Sequence, residues 1–202
     1  MITFLIVTAL SIHRPILFSG GLFSYMSSPM YSRLLEPIRE LSNITDIRFP
    51  CTLEAVEQTC NDLNVEKAVL IAHSSIDPRV LGSFRLDKIF LIDPSVVPQV
   101  SLFGLTPTEV ICRPKTTVVC SKLYEDFVVG PFKPVLNTND ITVFDGAGHS
   151  DCLDPLYAEI AKFAGISSEP QMRQEYREFI QESIKKWYLD VSIVRMFDTT
   201  ND

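Results

Sequence analysis

Three polar clusters in this chain could do chemistry, and each follows an apolar run. The first is His73-Ser74-Ser75, after Lys67-Ala68-Val69-Leu70-Ile71-Ala72. The second is Leu123-Tyr124-Glu125-Asp126, after Thr116 to Cys120. The third is Asp145-Gly146-Ala147-Gly148-His149-Ser150-Asp151, after Ile141 to Phe144. Together they supply a hydroxyl, a carboxylate and an imidazole in the order serine, acid, histidine. That set serves nucleophilic acyl transfer. A serine hydroxyl is a weak nucleophile unless a base sits beside it, and the base works best when a carboxylate holds its far nitrogen.

Each residue also has a plainer role open to it. Ser74 and Ser75 follow a strand, where a serine often caps the next helix. His149 lies in a loop, where a histidine is often only solvated. His13 sits in an early turn, and His73 reads as a packing or surface residue, not as the base. Gly20-Gly21 reads either as a tight turn or as a donor of backbone N–H groups. Asp151 and Asp154 follow His149 closely, and one of them is expected to cap a helix over 153–164.

The composition narrows the function classes. The net charge of −7 and pI near 5.0 disfavour a grip on nucleic acid or anionic lipid, which needs a basic face. With only three histidines, five cysteines and no C-x-x-C pair, the ligand spacing of a zinc site is missing. The cysteines read as reduced, mostly buried thiols of a cytoplasmic protein, with secretion and two disulfides as the alternative. The first twelve residues, MITFLIVTALSI, lack a preceding basic segment and are too short to span a bilayer. They read as buried strand.

A chain of 202 residues suits one domain, here 1–202, with 165–202 as a C-terminal helical extension. Strands are expected at 2–10, 16–18, 44–49, 67–72, 88–92, 116–120 and 141–144. Helices are expected at 29–42, 53–63, 153–164 and 171–188, with a short one starting at Asp77-Pro78. In the helix over 153–164, Leu156, Ile160 and Phe163 should face inward. In the last helix, Met172, Tyr176, Ile180, Ile184, Trp187 and Tyr188 form one stripe, and Val191 to Val194 reads as strand. The four prolines of 94–114 make that segment irregular. Strands alternating with helices imply an α/β fold with a mainly parallel sheet covered on both faces. Ligands of such sheets bind at the carboxyl ends of the strands, where all three clusters fall.

Over roughly residues 15–164 the chain resembles the α/β-hydrolase superfamily. VLIAHSS resembles the nucleophile elbow, usually Gly-x-Ser-x-Gly, with Ala72 at the first flanking position and Ile76 where the second glycine is expected. ITVFDGAGHSDCLD resembles the histidine loop, and TTVVCSKLYED resembles the strand and loop that carry the acid. PILFSGGLFSYMSS resembles the oxyanion loop, with Ser19 where many members have histidine. The resemblance implies Ser74 as nucleophile, His149 as base and Asp126 as acid, with Glu125 and Asp93 as alternatives. It implies oxyanion donors at Ser75 and Gly21, or Leu22 in place of Gly21. It implies little or no lid, since the segment between the strands near 90 and 118 is short. The implied activity is hydrolysis of a carboxylic ester or related small acyl substrate, which needs no metal or cofactor. The departures at Ile76 and Ser19 point instead to an inactive member that binds or assembles, with the C-terminal extension serving a homodimer.

Overall fold

The computed structural model describes residues 14–21, 27–47, 49–96, 115–122, 141–163 and 167–198. The expected strand at 2–10 and most of the irregular segment 94–114 lie outside them. Six strands form one sheet: β1 (Ile16–Ser19), β2 (Ile44–Asp46), β3 (Ala68–Ile76), β4 (Leu86–Val96), β5 (Lys115–Ser121) and β6 (Ile141–Phe144). Their order is β2-β1-β3-β4-β5-β6, and every pair is parallel. The helices are α1 (Ser27–Met30), α2 (Ser32–Arg39), α3 (Leu53–Asp62), α4 (Pro155–Phe163) and α5 (Pro170–Asp198). The molecule is an α/β protein.

The alternation of side chains along each strand feeds two cores, one on each face of the sheet. Ile16, Phe18, Val69, Ile71, Phe90, Ile92 and Val119 face α2 and α5. Leu17, Leu70, Ala72, Ile89, Leu91, Val118 and Cys120 face α3 and the 3₁₀ turn Pro78–Gly82. This is why β3 and β4 read as unbroken apolar runs: neither face meets water. Asp77 caps the 3₁₀ turn by accepting from the Arg79 N–H, with Pro78 at its first position, as the sequence suggests. Thr52 likewise caps α3 by accepting from the Ala55 N–H.

Four expectations need correction. The chain does not turn into a helix after Ser74; β3 runs on to Ile76, and the 3₁₀ turn starts only at Pro78. Val191 to Val194 is helical, because no Gly or Pro interrupts the chain after Pro170 and α5 continues through them. In α4, Leu156 and Ile160 are 68% and 61% exposed. Among the described side chains of α4, the smaller Ala158, with Tyr157 beside it, meets the core; the Phe163 side chain lies outside them. Finally, the Asp154 side chain caps α2, not α4: its carboxylate accepts from the Ser32 hydroxyl and the Arg33 N–H, while its backbone carbonyl starts α4.

The stripe on α5 is spent inside the chain. Tyr176, Ile180, Ile184, Trp187 and Tyr188 are all buried against the sheet and α2. Ile180→Ala should therefore lower unfolding free energy by about 2–5 kcal/mol, the cost of a cavity in a packed core. Urea titration of the two proteins measures this; a change near zero would mean that α5 is a dispensable appendage.

Candidate active site

The site grows out of an irregularity in the sheet. From Val69 to His73, β3 pairs residue for residue with Lys88 to Ile92 of β4, and pairing then resumes at Ser75 with Ser95. The interruption skips Ser74 on one strand and Asp93-Pro94 on the other. Both Ser74 and Asp93 have positive φ, 65° and 43°. For a residue with a Cβ that conformation costs roughly 1–2 kcal/mol, and it is held where the surrounding fold dictates it. The turn of the chain lifts Ser74 out of the strand alternation and leaves it half-buried at the carboxyl edge, next to the end of β1. Sheet order reverses between β1 and β3, the place where ligands of open α/β sheets bind.

Because the strand continues, Ile76 has no helix to crowd. Its side chain is fully buried in the core under α3. Glycine is needed elsewhere. A Cβ on Gly21 would lie 2.9 Å from the Ser74 Cβ, so only a residue without a side chain can pass so close to this serine.

His149 comes from the loop after β6, where Gly146 turns the chain with φ 80°. Its Nε2 lies 3.0 Å from the Ser74 Oγ. The loop is held from behind. The buried Asp151 carboxylate accepts from the Gly148 N–H at 2.6 Å, from the Ser168 N–H at 2.8 Å, and from the hydroxyls of Ser167 and Ser168. Arg177 of α5 donates to the carbonyls of Asp151 and Leu153. Burial pulls His149 down to about 4, so its imidazole is neutral near pH 7 and Nε2 can accept the serine proton.

The other residues singled out in the sequence fall as follows. Ser75 is buried and paired across to Ser95. Gly21 sits beside Ser74, and its N–H donates to the Tyr31 Oη at 3.0 Å. Ser19, the last residue of β1, is fully buried, and its hydroxyl donates to the Gly20 carbonyl at 3.5 Å. Asp126, Glu125 and Leu22 lie outside the described residues.

Asp93 is fully buried. One of its oxygens accepts from the Ser121 N–H and hydroxyl, at 2.6 and 3.0 Å, and the other from the Tyr176 hydroxyl at 3.0 Å. Burial pushes its carboxyl up to about 7 against the pull of those donors. A carboxylate oxygen of Asp93 and one ring nitrogen each of His73 and His149 lie within 4.8 Å of one another. The set has the composition of a cation site. Asp93 and His73 already hold protein partners, Asp93 with Ser121 and Tyr176 and His73 with Tyr31 and the His149 carbonyl.

His73 does more than pack. It is buried and polar-bonded on both nitrogens: Nδ1 to the Tyr31 Oη at 2.7 Å and Nε2 to the His149 carbonyl at 3.1 Å. Its ring stacks on that of His149, centroids 4.9 Å apart. The sequence carries a signal for this. His73 continues the Val69-Ile71 register, so it must face the α2 core and find polar partners there.

No protein-family model matches the chain, and no curated protein does. Among solved structures the chain is similar to the crystal structure of a proline iminopeptidase-related protein from Thermus thermophilus. The identity is 16% and the TM-score 0.41, over 76% of this chain and 90% of that one. Likeness of that order carries no inference about chemistry. The sheet order and the Ser74–His149 geometry define the class: a parallel α/β protein with a serine and a histidine joined at its topological switch point.

The backbone at residue 74 gives a direct test. Ser74→Gly removes the cost of a Cβ at φ 65°, whereas Ser74→Ala retains it. Ser74→Gly should be more stable than Ser74→Ala by about 1 kcal/mol. Denaturant unfolding of the two variants decides it; the reverse order would mean that residue 74 is unstrained.

Proposed function

We propose that this protein is a serine hydrolase of the α/β-hydrolase type, cleaving a carboxylic ester or related acyl compound. The observation that carries the reading is the 3.0 Å contact between the His149 Nε2 and the Oγ of a positive-φ serine at the carboxyl edge of a parallel sheet. Ser74 attacks the acyl carbon while His149 takes its proton. His149 then returns the proton to the leaving group, and water repeats the sequence to release the acid. Asp126 is the first choice for orienting the far nitrogen of His149, with Glu125 and Asp93 as alternatives. In support of Asp93, one of its oxygens lies within 4.8 Å of a His149 ring nitrogen, and its three present donors leave acceptor capacity. The Ser75 N–H is proposed as one oxyanion donor, with Gly21 as the other and Leu22 as its alternative.

Buried cysteines outside any disulfide support an intracellular, reducing setting; Cys51, Cys60 and Cys152 are of this kind. No helix among the described residues is long and apolar enough to cross a membrane. A second reading, an inactive member of the same fold that binds or assembles, is favoured by one observation. The Gly21 N–H is committed to Tyr31, where an active oxyanion loop would leave a donor facing the serine.

Steady-state hydrolysis of p-nitrophenyl acetate separates the two. The proposal expects Ser74→Ala and His149→Ala each to lose at least about 10⁴-fold in kcat. Wild type that matches the variants would select the binding module. The pH profile has a fixed sign, because His149 must be neutral to act as base. In wild type, kcat/KM should fall as pH drops through about 4, the value burial gives the free imidazole. A rising limb near 6.5 or above that persists in Asp93→Asn, and so is not the ionisation of that carboxyl near 7, would mean that a different group is the base.

A further inference from the structure

Catalysis by Ser74 and His149 leaves three buried polar groups beside them unexplained. These are the Gly21 N–H, the Tyr31 hydroxyl and the His73 imidazole. They form one continuous chain. Gly21 N–H meets the Tyr31 Oη at 3.0 Å, the Tyr31 Oη meets the His73 Nδ1 at 2.7 Å, and the His73 Nε2 meets the His149 carbonyl at 3.1 Å.

The direction of every bond follows from its two ends. A backbone N–H only donates, and a carbonyl only accepts. The His73 Nε2 must therefore carry a proton. Burial holds His73 down to about 3, with the neighbouring His149 adding to the effect, so the ring is neutral and its Nδ1 is a bare acceptor. Tyr31 consequently donates to Nδ1 and accepts from Gly21. Burial also raises the Tyr31 hydroxyl well above its ordinary value, so it keeps its proton. One consistent set of protons satisfies the whole chain.

We infer that Tyr31 and His73 are positioning residues, a hydrogen-bonded strut that sets the His149 loop in register with Ser74 and with the Gly20-Gly21 turn. The geometry supports this in two ways. The strut grips the backbone of His149 itself, and the stacked rings, with 28° between their planes, restrict how the His149 imidazole can rotate. It also joins the end of β1, the start of α2, the end of β3 and the loop after β6. Those segments are far apart in the chain, and the strut ties them together directly beside the Ser74–His149 contact. Simple core filling at these positions would be met by apolar side chains, which need no partners. The catalytic consequence of the strut rests on the serine-hydrolase reading; the existence of the strut does not.

The test uses ring-¹⁵N histidine in the full chain, whose three histidines can be assigned by substitution. At pH 7, wild type should show His73 as the neutral Nε2–H tautomer. Tyr31→Phe keeps the ring that packs edge-on against Phe18 but removes the hydroxyl. It should shift the His149 ring signals. It should also lower kcat for p-nitrophenyl acetate by roughly 10–100-fold, the scale of a small misplacement, with KM changed less than about twofold. His73→Gln, which keeps an N–H at similar reach, should recover part of the kcat lost in His73→Ala.

An Nδ1–H tautomer in wild type, or His149 signals indifferent to Tyr31→Phe, would overturn the strut. Wild type without Ser74-dependent hydrolysis but with the expected tautomer and shifts would support the strut and remove the hydrolase reading. Ser74-dependent hydrolysis with the wrong tautomer would do the opposite.

Discussion

Everything at this site depends on where β3 and β4 lose register. Parallel strands buried on both faces leave little freedom, because each residue is fixed by a hydrogen-bonded neighbour on each side. The skip at Ser74 opposite Asp93-Pro94 is where the carboxyl end of β3 escapes that constraint. There the backbone of each strand enters the left-handed region, at Ser74 and at Asp93. The serine moves to the edge, where it can be reached, while the carboxylate turns inward to Ser121 and Tyr176. Strain of this kind persists only when packing on both sides enforces it. The two cores, which hold β3 through Val69 and Ile71 on one face and Leu70 and Ala72 on the other, supply that enforcement.

Around the bulge the protein places neutral groups in low dielectric. Burial keeps both imidazoles uncharged and raises the carboxyl of Asp93 toward its neutral form. A neutral His149 is the state a base requires. The arrangement is costly if incomplete, since an orphaned buried donor or acceptor costs about 1–3 kcal/mol. This explains why the surrounding polar groups come in closed sets: Asp151 with Gly148, Ser167 and Ser168, and Gly21 with Tyr31 and His73. The linkage works in opposite directions. Histidines held neutral in the fold cost stability as pH falls below 6.5 toward their folded values. Asp93, held protonated, costs stability as pH rises from 3.8 toward 7.

Much of this is legible in the sequence, and for physical reasons. The continuous apolar runs at 67–72 and 88–92 fit strands covered on both faces, and that is what they form. Asp77-Pro78 and Thr52 announce their caps. The pairing of Ser74 with His149 follows from two polar clusters at the ends of parallel strands. What is not legible depends on partners distant in the chain. A one-residue skip between strands leaves no mark in either strand alone, so the sequence puts Ser74 on a helix turn and makes Ile76 look out of place. The inward bonds of Gly21 and His73 depend on Tyr31, whose type suggests only core. The rotation of α4, which exposes Leu156 and Ile160, is set by how small Ala158 is against the core, and periodicity does not report which of two faces docks.

The central claim is that Ser74 is chemically activated by its place in the fold. The most direct measurement is the intact mass of the protein after exposure to a fluorophosphonate, followed by peptide mapping of the adduct. Activation predicts a single adduct on Ser74, absent when His149 is replaced by alanine. A folded wild-type protein that stays unmodified, or carries its adduct on another residue, would contradict it.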